Sequence, residues 1–274
     1  MAHPKQNLPR SFRQPVPRSV PRARVSSRAR KWAELAVVGV LLAVAVVSGV
    51  SLLERGDSRA AAEHKVEHEV ARLLGGIPQR ESTLGSPSAP VTLEIFGDLK
   101  DPDSRSWFLK DLPAIIRGYV RPGTLRLEYR SYKTNTHSPQ EFVKQQTAAL
   151  AAGAQDRLWD FIDTFYQEQG SEFASYVTES YLDDIARQVP GLNIVQWHAD
   201  RLTGRREEQT TQEDQAARAL GLHVTPSFRI GRTGGAMHNY AGHAILKYGE
   251  QHPIALPEAS DIGKAIKELD GRRA

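Results

Sequence analysis

The chain has 274 residues, no cysteine and a formal charge of +4. That length holds one sizeable domain with accessory segments, or two small domains. The charge is uneven: residues 1–31 carry nine Lys or Arg and no acid, so the other 243 residues sum to −5. A nucleic-acid-binding domain places its basic charge on a folded face, and here the folded part is mildly acidic, so nucleic acid is not expected as a partner. The missing cysteines say nothing about compartment, because a domain of this size can bury enough core without disulfides.

Residues 1–31 also contain five prolines and few large apolar side chains. Such a segment cannot offset its ordering entropy and is expected to be a disordered cytoplasmic tail. Residues 32–54 follow as a transmembrane helix. Leu35 to Leu53 carry no charge, and as a helix they span ~28 Å, near the hydrocarbon thickness of a bilayer. Trp32 is placed as an interfacial anchor, and the basic leader predicts a cytoplasmic N-terminus with everything after the span exported. A cleaved signal peptide, with Ala60, Ala61 and Ala62 downstream, is the rival, but its apolar region is usually shorter and its leader less basic. A buried soluble helix would usually show some polar face.

Residues 55–84 read as a juxtamembrane helix and linker. Val66, Val70, Leu73 and Leu74 make one apolar stripe on the helix, and Gly75–Pro90, rich in Gly, Pro and Ser, reads as linker. His64 and His68 have metal-binding spacing, yet Glu63 and Glu67 suit surface ion pairs and no third ligand is near, so no metal is assigned.

The part from residue 85 to 270 alternates element types. Val91–Phe96 is a strand, Ser104–Val120 a helix stopped at Pro122-Gly123, and Leu125–Tyr132 a half-buried strand. From 138 to about 220 the pattern is helical, opened by Ser138 as N-cap with Glu141 at N3 and closed by Gly221. Val224–Ile230 is a strand, 231–235 a turn, Ala236–Ala241 the returning strand and Asp261–Leu269 a terminal helix. This is an α/β plan with a helical insertion, and the first two strands should be parallel with a right-handed crossover.

Asp98, Asp101, Asp103 and Ser104 crowd one helix start. Their spacing is not that of a calcium loop, and Asp and Ser are ordinary N-caps stabilised by the helix dipole. Ser104 lacks a Gly-x-Ser-x-Gly elbow, and His137 and His223 are the candidate bases the fold might bring to it. His238, His243 and His252 are irregularly spaced surface residues. Trp107, Phe108, Trp159, Phe161, Phe165, Tyr166 and Trp197 are mainly core.

Four segments together carry a family resemblance: SPSAPVTLEIFGD (86–98), the turn Asp101-Pro102-Asp103-Ser104, AALAAGAQDRLWDFIDTFYQ (148–167) and ARALGLHVTPSFRIG (217–231). In this order they resemble the DsbA-like thioredoxin-fold oxidoreductases, a thioredoxin core with an inserted helical subdomain. The family carries Cys-Pro-x-Cys where this chain has Asp101 to Ser104. Thiol–disulfide exchange needs a thiolate, so the scaffold is expected without the family's reaction and without a cofactor. The resemblance implies a cis bond at Thr225-Pro226 facing the turn, and an extended peptide pairing with the backbone there by strand addition. Trp107 and Phe108 are then candidates to line an apolar groove with Thr225 and Pro226. It further implies a bacterial plasma membrane setting, with an envelope protein or peptide as partner. The alternatives are an enzyme (a thiol oxidoreductase by homology, or a non-thiol activity at the turn) and a structural scaffold subunit of an envelope complex.

Overall fold

The structure is a computed structural model that describes residues 65–242, 244–245 and 256–271. The basic tail, the 32–54 span, His64, His243 and His252 lie outside those residues. Among the described residues no helix is long and apolar enough to cross a membrane.

A seven-stranded sheet forms the centre: β1 (Gln79–Arg80), β2 (Thr83–Leu84), β3 (Val91–Gly97), β4 (Leu125–Ser131), β5 (Ser227–Arg232), β6 (Met237–Ala241) and β7 (Ala244–Ile245), in the order β1-β2-β4-β3-β5-β6-β7. β3 and β4 are parallel, with Val91 opposite Leu125 and Gly97 opposite Ser131. β3 and β5 are antiparallel, with Ile95 opposite Phe228. The central β3 is buried at every position but Glu94, whereas β4 alternates buried and half-buried along its length. Elements covered on both sides lose the polar alternation that marks half-exposed strands.

Around the sheet stand α1 (65–74), α2 (Pro102–Lys110), α3 (Leu112–Ile115), α4 (Pro139–Gly153), α5 (Leu158–Gln167), α6 (Glu179–Gln188), α7 (Ile194–Leu202), α8 (Arg205–Ala219) and α9 (Ala259–Gly271). The helix expected over 104–120 is broken. Pro113 has no N–H to continue the ladder, so α2 stops at Lys110, a short α3 follows, and the last turn over Ile116–Val120 widens to a π-helix.

The 75–90 stretch, expected to be a linker, instead belongs to the domain. β1 and β2 form a hairpin turned at Glu81-Ser82, with Glu81 at φ 51, and β2 pairs antiparallel with β4. Leu84 is fully buried. The hairpin also holds α5: Ser82 O accepts from Trp159 Nε1 at 3.1 Å, and Gln79 Nε2 donates to Asp160 Oδ2 at 2.6 Å. The expected apolar stripe of α1 docks on the same core, with Val70 and Leu74 buried and Val66 and Leu73 packed beside them. The domain therefore begins by residue 65 and not at 85.

Trp107, Trp159, Trp197, Phe108, Phe161, Phe165 and Tyr166 are all at most 1% exposed. Each buried tryptophan N–H finds a carbonyl, as burial of a polar tip requires: Trp107 donates to Pro257 O, Trp159 to Ser82 O and Trp197 to Ala148 O. Gly97, at the end of β3, is required by close approach, since a Cβ there would meet the Tyr129 ring at 2.8 Å.

Candidate functional site

The turn after β3 is organised by two buried carboxylates. Asp98 is fully buried and gathers the loop after β4. Its Oδ2 accepts from the backbone N–H groups of Thr134 (3.2 Å), Asn135 (3.0 Å) and Thr136 (2.8 Å). Its Oδ1 accepts from Lys100 N, Gln145 Nε2 and the Thr136 hydroxyl.

Asp101 is the N-cap of α2, with Pro102 in the first turn, where a missing N–H does no harm. Only 1% exposed, it accepts from Ser104 N at 2.9 Å, Ser104 Oγ at 2.6 Å, Asp103 N at 3.3 Å and Asn135 Nδ2 at 2.7 Å. Thr225 Oγ1 donates to it at 2.9 Å and also touches Thr134 Oγ1. Burial raises the Asp101 carboxyl above the usual carboxylate range, while its bonds to Ser104, Thr225 and Asp103 oppose the rise.

The Thr225–Pro226 bond is cis, and the Asp101–Thr225 contact places it beside the turn. Val224 lies in the loop, and β5 begins at Ser227 where a strand from Val224 was expected. Among the described residues, no hydrogen bond engages the Thr225 backbone N–H.

The turn is thus half sealed. Asp101 and Ser104 are buried, and Pro102 and Asp103 face solvent. Ser104 is fully buried with its hydroxyl committed to Asp101, while His137 and His223 are exposed on loops. Among the described residues no histidine reaches Ser104, whose hydroxyl donates to the Asp101 carboxylate that also caps the helix. Among the described residues no three His, Asp or Glu side chains form a metal-binding group.

Trp107 and Phe108 do not line a groove. Helix α2 turns both rings inward, Trp107 against Phe228 with ring centres 4.7 Å apart and Phe108 against Tyr166 at 4.7 Å. The apolar group actually presented on this face is Phe173, 81% exposed, with the His137 ring 6.4 Å away. Its loop is tied to the turn: Gln169 Nε2 donates to Leu99 O and Asp101 O, Lys100 Nζ donates to Ala174 O, and Glu172 Oε2 accepts from Asn135 Nδ2. Lys100 is itself buried and paired with Glu141 at 3.0 Å. Phe173 sits in a stretch without periodicity, so no local pattern singles it out. Asn135 likewise lies in a loop with no motif.

A thioredoxin family model matches residues 79–240. The probable disulfide bond formation protein D of Bacillus anthracis is 27% identical over 158 residues, covering 55% of this chain and 69% of that protein. Its namesake in Bacillus cereus is 26% identical over the same length. Among solved structures, oxidised BdbD from Bacillus subtilis superposes with a TM-score of 0.54 at 16% identity, covering 70% of this chain and 96% of the other. The alpha-DsbA1 of Wolbachia pipientis gives 0.54 at 16% identity, covering 73% and 93%. With its cis-proline loop facing a helix-capping turn, its helical insertion and its matching family model, this chain, which has no cysteine, belongs to the thioredoxin family and is DsbA-like.

Proposed function

We propose that this protein is a redox-inactive, membrane-anchored thioredoxin-like domain that binds an extended polypeptide segment outside the cytoplasm. The observation that carries the reading is the Thr225 N–H beside the cis proline, unengaged among the described residues and held against a turn that is hydrogen-bonded shut. A peptide strand can pair with such a backbone without any thiol. Phe173 supplies an apolar contact on the same face, in place of the buried Trp107. The names of the relatives speak of disulfide formation; with no cysteine in the chain, that chemistry does not come with the likeness. Anchoring through residues 32–54 and export of the domain follow from the apolar span and basic leader.

The test is photo-crosslinking in cells from a probe at Phe173 or His223, against a probe on the opposite side of the sheet. Capture of a partner from this face alone supports the reading, and equal capture from both faces removes it. Insulin reduction by the purified chain should stay at blank level. A second reading, docking of a folded partner as part of a scaffold, is favoured by the saturation of the Asp101 network, which leaves the turn polar and fixed. Synthetic peptides spanning the captured partner separate the two: strand addition survives in an isolated peptide, whereas docking of a folded surface does not.

A further inference from the structure

The helical insertion contains a second concave site. Helices α4, α6, α7 and α8 border an open cleft of ≈ 610 Å³ whose lining includes no residue of the turn or of the Thr225 loop. That volume is within the range of small-molecule sites, which are mostly apolar with a few placed polar groups. Val143 and Leu202 supply apolar wall, and Leu202 is 87% exposed at the cleft.

Two polar groups on the wall are unsatisfied among the described residues. Thr147 is 7% exposed, and its Oγ1 has no hydrogen-bond partner. Arg201 Nε is also buried and unpartnered. The Arg201 guanidinium is fixed 4.6 Å over the Trp197 ring, and its Nη2 donates to Glu179 Oε2 at 2.7 Å. Lys144 Nζ approaches the other Glu179 oxygen at 3.6 Å. Burial opposes ionisation of Glu179, but the Arg201 hydrogen bond and charge, with Lys144, hold its carboxyl below the usual range. Glu179 is itself 61% exposed, so the carboxylate bridging the two cations stands at the surface of the cleft. Buried donors are nearly always paired in folded proteins, and here two residues of the cleft lining each hold one that, among the described residues, is not.

We propose that this cleft binds a small molecule bearing a single carboxylate on an apolar body. The ligand carboxylate displaces Glu179 from Lys144 and Arg201 and accepts from Arg201 Nε and Thr147 Oγ1. The apolar body lies along Val143 and Leu202. Glu207, on the cleft lining in the first turn of α8, disfavours a second negative charge, and the two cations disfavour a purely cationic ligand.

Calorimetric titration of the purified full-length chain with hexanoate, hexylamine and hexanol tests the proposal. Hexanoate should bind with a Kd at or below about 1 mM, and the other two should not bind measurably. Thr147→Val, nearly the same shape, should weaken hexanoate roughly threefold to tenfold, the worth of one hydrogen bond. Glu179→Gln, at an exposed position, should tighten it by a similar factor because it frees both cations. Absence of hexanoate binding, equal binding of hexylamine or hexanol, or an unchanged or weaker affinity in Glu179→Gln each overturns the proposal. If Thr147→Val lowers the melting temperature, the Glu179→Gln arm alone decides.

Discussion

The turn at 101–104 and the cleft on the helical insertion treat their polar atoms in opposite ways. At the turn, both oxygens of Asp101 accept hydrogen bonds, and every donor that reaches them is thereby used. In the cleft, Thr147 Oγ1 and Arg201 Nε are buried without partners. A satisfied network fixes one geometry, and unsatisfied donors mark where a ligand would gain most. At the turn the Asp101 network acts as a structural clasp. Under the proposed reading, recognition on that face falls to the Thr225 backbone and to Phe173.

Breaking the packed side of the turn should give the largest effect. Trp107→Ala would open a cavity beneath α2 and strand the Pro257 carbonyl, with an expected loss of about 3–5 kcal/mol in urea unfolding. A loss near zero would mean that the ring is a groove residue after all. Asp101→Ala comes next. It removes the α2 N-cap and leaves the hydroxyls of Ser104 and Thr225 and the Asn135 amide without their acceptor, which should cost about 2–4 kcal/mol. Asp101→Asn, which keeps one acceptor oxygen, should cost less. If both variants are neutral, the clasp does not hold the turn.

The pH dependence sharpens the comparison through a third buried carboxylate. Asp163, 6% exposed on α5, has its carboxyl raised to about 7, first by burial and then by Asp160 and Glu69, against the bond from Gln167. In the unfolded chain it ionises near the ordinary value of 3.8. Between those two values the folded state holds a proton that the unfolded state has lost, so stability falls as pH rises across that window and is greatest below it. Asp101 and Asp160 are raised as well and push the same way. Asp163→Asn should flatten the slope and add about 1–3 kcal/mol at pH 8. A melting temperature that climbs from pH 5 to pH 8 in the parent chain would contradict this sign.

The elements most legible in the sequence were those with strong local chemistry. Ser138 caps α4 by accepting from Glu141 N, Gly221 sits at φ 70 just past α8, and the alternation of Leu125, Leu127 and Tyr129 is the buried face of β4. Glu141, placed at N3 by the sequence, pairs with Lys100, which is buried next to it, a tertiary choice that no local pattern encodes. The hairpin at 79–84 was hidden because strands of two residues have no periodicity. Its reason for existing, the grip on Trp159 and Asp160, spans about eighty positions. At the site, the nearness of Thr225-Pro226 to the turn could be expected from the family's order of segments, though not the hydrogen bond from Thr225 to Asp101. The depth of Trp107 could not, since an amphipathic start to a helix does not say which of its rings will meet a sheet.

The smallest effect on stability is expected at the residue with the most to say about recognition. Phe173 is 81% exposed, and its ring contact is with the exposed His137, so Phe173→Ala should change stability by no more than about 0.5 kcal/mol. An exposed large apolar side chain on a loop held by three hydrogen-bonded neighbours is nonetheless a fixed contact point, because Gln169, Glu172 and Ala174 tie that loop to the turn and to Lys100. The loss of its area should therefore appear in binding alone. Crosslinking from His223 in the Phe173→Ala chain should capture several-fold less partner than in the parent, with the same melting temperature. Undiminished capture would assign recognition on this face to the Thr225 backbone without an apolar anchor, and undiminished capture in Thr225→Pro as well, provided that variant still folds, would remove strand addition from the account.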